Sequence, residues 1–196
     1  MERRSWPSAR QLNYAAGVAF QFVTRAMDTL DEYVVGQTDR LIRFEGRADN
    51  RALAAALADQ ARRSNDILSP DLEPAIYDHR PLVQALADLA RRSRYSTVRI
   101  LVCDASRVIK TGHRLIETAR RLSSSMHLHR PDEEHIDLRE GLMLVDGQAY
   151  LHKHIASRCE GEASFKAPLR ARELGKWFDE LWETSAPELE LRRLHI

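Results

Sequence analysis

Several features that would announce a specialised protein are scarce or missing. Only two cysteines, Cys103 and Cys159, occur in 196 residues. That is too few for a disulfide framework and lacks the spacing of a thiolate metal site. Such usage fits a reducing compartment, and a cytoplasmic location is the expectation. Cys103 closes the apolar run Val98-Arg99-Ile100-Leu101-Val102 and is expected to be buried and inert. Net charge is also nearly absent, with 30 Lys and Arg against 29 Asp and Glu. This excludes a whole-protein electrostatic drive toward nucleic acid or anionic membrane, while leaving room for a local basic patch. No long apolar run is present. The stretch after Arg3, Arg4 and Arg10 is broken by Asn13, Gln21 and Arg25, with no small-x-small site behind it, so neither a membrane span nor a signal peptide is expected. Internal repeats are missing, and Ser69, Ser106 and Ser123 to Ser125 sit in no nucleophile elbow.

What remains is an ordinary globular composition, 43% hydrophobic and 30% charged, in a length that suits one domain with an appended helix. Residues 1–36 are read as an N-terminal amphipathic helix. Leu12, Ala16, Ala19, Val23, Ala26, Leu30 and Tyr33 recur at alternating spacings of four and three, forming one stripe that Gly36 terminates. The stripe needs a partner surface. Packing on its own domain is the default, and a protein interface through Leu12, Ala16, Ala19, Val23, Leu30 and Tyr33 is the sharper alternative. Residues 37–185 alternate strand and helix. Strands are expected at 40–44, 66–69, 98–103, 126–129, 141–146 and 148–152. Helices are expected after Asp49 or Asn50 as caps, after Pro81, over 108–122 and over 168–184. Alternation of this kind predicts an α/β sandwich with a mixed, largely parallel sheet flanked by helices. Residues 186–196 are read as a charged tail. The pairs Arg62-Arg63, Arg91-Arg92, Arg120-Arg121 and Arg192-Arg193 fall near helix ends, where cations complement the helix dipole.

The stretch Gly141-Leu142-Met143-Leu144-Val145-Asp146-Gly147, a hydrophobic strand closing on Asp-Gly, resembles the end of a phospholipase D-type domain, and the resemblance covers roughly residues 37–185. That superfamily carries His-x-Lys-x-x-x-x-Asp along such a strand. The corresponding frame here runs from Arg139 through Gly141 to Asp146, so arginine replaces the nucleophilic histidine and glycine replaces the phosphate-binding lysine. Lys153-His154 stands where the family's Gly-Ser pair would fall. The chain is also similar to an uncharacterised bacterial domain that can be joined to acetyltransferases of the GNAT type. The resemblance implies a phospholipase D-like fold. In active members two motifs meet across a two-fold axis, within one chain or in a homodimer, and one histidine attacks phosphorus. A guanidinium cannot be that nucleophile.

The expected function is therefore a non-catalytic binding or scaffold protein, a pseudoenzyme without cofactor or catalytic residues. A phosphate or nucleic-acid site is the sub-reading, built from Arg139, Lys153, His152, His154 and Asp146. Its partner would be a protein, a second copy or a nucleic acid, and not a membrane. The alternatives are a homodimeric phosphodiesterase or nuclease with relocated residues such as His152 or His154, and a regulatory partner of an acetyltransferase. His127, His129 and His135 with Asp132 or Asp137 offer metal-ligand types, but an exposed strand edge and loop account for them, and no metal is assigned. A carboxylate–histidine pair among Asp71, Glu73, Asp78 and His79 lies on a loop after a strand, where α/β proteins place ligands. Trp177 and Trp182 read as core.

Overall fold

The computed structural model of the protein describes residues 30–188. In chain order these form β1 (Leu41–Glu45), α1 (Arg47–Asp59), β2 (Ser64–Ser69), α2 (Pro74–Tyr77), α3 (Arg80–Arg92), β3 (Thr97–Val102), α4 (Ser106–Thr111), α5 (Arg114–Arg121), β4 (Met126–Arg130), β5 (Gly141–Val145), β6 (Ala149–Lys153), β7 (Glu160–Ser164), α6 (Pro168–Thr184) and β8 (Ala186–Pro187). All eight strands join one sheet in the order β1-β7-β6-β5-β2-β3-β4-β8.

The sheet is mixed, but it is not largely parallel. Only β2–β3 and β3–β4 run parallel, and the other five pairings are antiparallel. The parallel reading generalised from helices between β2, β3 and β4, each a crossover. After α5 the chain switches to a meander, β5 to β6 to β7, whose short links force antiparallel neighbours. Strand β7 was missed because Glu160-Gly161-Glu162 is polar and lacks β-branched residues.

Strand alternation sorts the side chains onto two faces. Met143, Val145, Ala149 and Leu151 join the larger core with Leu53 and Leu57 of α1, Leu82 and Leu86 of α3, and Leu115 of α5. Leu142, Leu144 and Tyr150 face the other way and pack with Leu68, Leu101 and Leu174, Phe178 and Leu181 of α6. Helix α3 shows why such a segment forms. Pro81 sits in its first turn, Arg91 and Arg92 in its last, and its apolar stripe is buried.

Local expectations were revised in four places. The helix expected over 108–122 breaks at Gly112, whose φ of 78° is open to glycine, giving α4 and α5. The N-cap of α1 is Gly46 rather than Asp49 or Asn50, which lie inside the helix. Leu12, Ala16, Ala19 and Val23 fall outside the described residues. Of the helix's expected end, Leu30–Glu32 form a 3-10 turn. Tyr33 is buried against Phe165, with ring centroids 5.4 Å apart, and Leu30 packs on the same core. Finally, the tail begins as structure: β8 pairs with β4, and the Glu188 amide donates to the Leu128 carbonyl.

Candidate functional site

The parallel strands β2 and β3 end at Ser69 and Val102, and the antiparallel register brings Gly141 at the start of β5 to that same end. Carboxyl ends of parallel strands are where this fold class gathers ligands. A cavity of about 680 Å³ opens there, lined by Arg47, Pro70, Asp71, Glu73, Pro74, Ala75, Arg139, Ala156 and Ser157. The loop from β2 is held in an unusual form: buried Leu72 has a φ of 48°, and its amide takes the Ser69 hydroxyl as acceptor at 3.1 Å. A non-glycine residue in the left-handed region stores strain that the surrounding packing must hold.

Lys153 supplies the most costly group at this end. It is 2% exposed, it ends β6, and it lies directly opposite Gly141 in the ladder. Its stem runs between two glycines. A Cβ on Gly141 would come within 2.9 Å of Lys153 Cε, and one on Gly161 within 3.1 Å of Lys153 Cγ. Lys153 Nζ donates to the Ala156 carbonyl at 2.9 Å and lies 3.8 Å from Glu73 Oε2. Burial lowers its pKa from the usual lysine value, and Glu73 opposes that shift. Glu73 also receives Arg47 Nε at 2.8 Å. Arg139 is exposed at the cavity wall, and among the described residues its guanidinium has no hydrogen bond or ion pair. Its backbone carbonyl anchors the Ala156 amide at 2.6 Å, tying it to the residue that Lys153 also holds.

The five residues expected together therefore separate into three places. Arg139 lines the cavity, and Lys153 lies buried behind two of its lining residues, Glu73 and Ala156. His152 and His154 point to the opposite face, because β6 alternates, and there His152 Nε2 meets Glu140 Oε2 at 2.7 Å. Asp146 lies at the far end of β5. With Gly147 it forms the Asp-Gly turn of the β5–β6 hairpin, at φ 53° and 64°. Its carboxylate accepts the backbone amides of Arg62, Arg63 and Ser64 at 2.9, 2.7 and 2.9 Å. The geometry gives Asp146 a structural role away from the cavity.

Other candidates resolve into ordinary partnerships. His129 meets Ser185 Oγ at 2.9 Å and stacks on Trp182, while His135 meets Asp132 Oδ1 at 2.6 Å. That contact holds the Asp132 carboxyl below its usual range. Asp78 caps α5 through the Arg114 amide at 2.7 Å. Burial pushes the Cys103 thiol up to about 11, consistent with an inert side chain. Trp177 and Trp182 pack against the second core. Among the described residues no helix is long and apolar enough to cross a membrane.

Sequence reasoning missed Arg47, Glu73 in its role beside Lys153, and the Glu140–His152 contact. Gly161 opposite the end of β6 was the available signal for a cradled side chain.

A family model described as "Domain of unknown function (DUF7931)" matches residues 46–194. The chain belongs to that family. No curated protein matches it in sequence. Among solved structures, it is similar to the phospholipase D family member Nuc from Salmonella typhimurium, at 13% identity and a TM-score of 0.53 over 76% of this chain and 96% of that one. NucT from Helicobacter pylori aligns at 10% identity and a TM-score of 0.52, over 76% and 99%. The archaeal chromatin protein TrmBL2, described as binding DNA, aligns at 12% and 0.55 over 76% of this chain and 55% of that one. At these identities the likeness establishes the fold, which is phospholipase D-like.

Proposed function

We propose that this DUF7931 protein is a non-hydrolytic binding module that takes a phosphate-bearing ligand at the cavity beside Lys153. The single observation carrying this reading is a buried lysine cradled by Gly141 and Gly161, with its ammonium turned to the cavity's Glu73 and Ala156. Burying a cation costs several kcal/mol unless it is paired, and Glu73 at 3.8 Å shares its charge with Arg47. Arg139, without a partner among the described residues, adds a planar fork suited to phosphate oxygens at the wall. Lys153 takes over, from the neighbouring strand, the charge that the phospholipase D motif places at the position of Gly141. No histidine is among the residues lining the cavity, so it offers no imidazole nucleophile for phosphoryl transfer. Nucleic-acid backbone is one source of such a phosphate, in keeping with the DNA-binding fold relative.

Calorimetric titration with inorganic phosphate and with a short single-stranded oligonucleotide tests this. Binding by the wild type should weaken about tenfold in Arg139→Ala, the loss of one charge-assisted contact. Failure of the wild type to bind either ligand would overturn the anion site. Turnover of a phosphodiester that Arg139→Ala abolishes would overturn the non-hydrolytic reading.

A further inference from the structure

On the sheet face opposite the cavity, three metal-binding side chains converge. His152 and His154 are two apart around the end of β6, so both project to the face of α6. Glu140 precedes Gly141, the ladder partner of Lys153, and thus stands one step beyond the hairpin register, across from His154. One donor atom from each of Glu140, His152 and His154 lies within 4.8 Å of the others, the grouping of this kind found among the described residues. The imidazoles are 4.4 Å apart centre to centre and nearly edge-on. His152 is 2% exposed, yet its Nδ1 has no hydrogen-bond partner, so a buried imidazole depends on Glu140 alone. Leaving a buried polar atom unpaired costs about 1–3 kcal/mol, and such an atom asks for an explanation.

We propose that Glu140, His152 and His154 form a site for a divalent transition-metal ion of the zinc type. Two imidazoles and a carboxylate are the donor set that borderline-soft divalent ions favour over calcium or magnesium. Zinc bonds to such donors at about 2.0–2.2 Å, which sets tetrahedral donors about 3.4 Å apart. The exposed His154 ring and the partly exposed Glu140 side chain are the groups that can adjust to that spacing. His154 and the Glu140 side chain, 37% exposed, face solvent, so the fourth position is left to water. This site is independent of the phosphate cavity, since it uses the other face of β6 and none of the cavity-lining residues.

The test is calorimetric titration of Zn2+ into the chelator-treated full chain, paired with Co2+ absorption as a report of coordination geometry. The wild type should take up one equivalent and give the visible bands of a four-coordinate Co2+ ion. Glu140→Gln and His154→Asn, chosen because neither side chain is buried, should each weaken Zn2+ at least tenfold and remove those bands, on the order of known ligand-shell effects. Thermal melts of the metal-free variants check that both fold. No uptake by the wild type, or uptake that survives in either variant, overturns the assignment.

Discussion

Asp146 separates structure from chemistry most sharply, because the phospholipase D frame and the geometry assign it different work. In the sequence resemblance it would be the single matching motif residue. The structure makes it a clamp: one carboxylate holding three consecutive amides, Arg62 to Ser64, where β2 begins. Asp146→Gly isolates the hydrogen bonds, because glycine accepts the φ of 53° without steric cost. The three amides are partly solvated, so each freed N–H recovers water and each lost bond costs about 0.5–1 kcal/mol. The expected loss is about 2 kcal/mol, or about 4–8 °C in Tm for a chain of this size. Asp146→Asn keeps one acceptor oxygen and tolerates the left-handed backbone, so it should lose about 1 kcal/mol. Urea unfolding followed by tryptophan fluorescence measures both, with an unchanged m-value as the sign that only stability moved. Phosphate affinity should hold within a factor of two in Asp146→Asn. A variant as stable as the wild type that loses phosphate binding would refute the clamp and return Asp146 to the site.

Further outcomes follow from the same geometry. Lys153→Met should leave stability unchanged or raise it at pH 7 while weakening phosphate binding, since it removes a buried charge and keeps the volume. The lysine's folded pKa is depressed, so the unfolded chain binds the extra proton and the wild type gains stability as pH rises toward 10.5; any deficit against Lys153→Met should shrink as pH approaches that value in urea titrations. His113 is buried and its pKa is lowered, chiefly by desolvation, so its contribution is present above 6.5 and lost as pH falls below it; His113→Gln should flatten the acid limb of a stability–pH curve. Gly161→Ala places a Cβ 2.5 Å from the His152 carbonyl and 2.7 Å from Phe44 Cζ, whereas Gly141→Ala meets the yielding end of Lys153. Thermal melts should show the first costing about 2 kcal/mol or more and the second about 1 or less.

Much of the fold was legible because its strands carry strong local signals. The run Val98 to Val102 and the heavily apolar β5 needed no tertiary information, and α3 and α6 announced themselves by periodicity and a first-turn proline. Strand direction was not legible, since it depends on whether a link crosses over or turns back, and the polar β7 concealed one turn. The site was half legible. Arg139 and Lys153 fall at the same end of the sheet, whereas His152, expected beside them, faces the other way because adjacent residues on a strand point to opposite faces. Arg47 and Glu73 reach the cavity from α1 and from the loop after β2, and no sequence spacing links them to β6.

Alternation along β6 also makes the two proposed sites separable by experiment. Lys153 leads to the cavity and His152 and His154 lead to the α6 face, so the two sites are joined by three single peptide links, Arg139–Glu140, His152–Lys153 and Lys153–His154. Sites that share no partner combine additively within about 0.3–0.5 kcal/mol, which corresponds to roughly a twofold change in affinity. Saturating Zn2+ should therefore leave the phosphate Kd within that range, and by reciprocity phosphate should leave the Zn2+ Kd equally unmoved. A shift beyond about threefold in either direction would mean that closing Glu140 onto a metal drags Arg139 with it. The hairpin would then be a coupled element, and the two faces would not be independent surfaces.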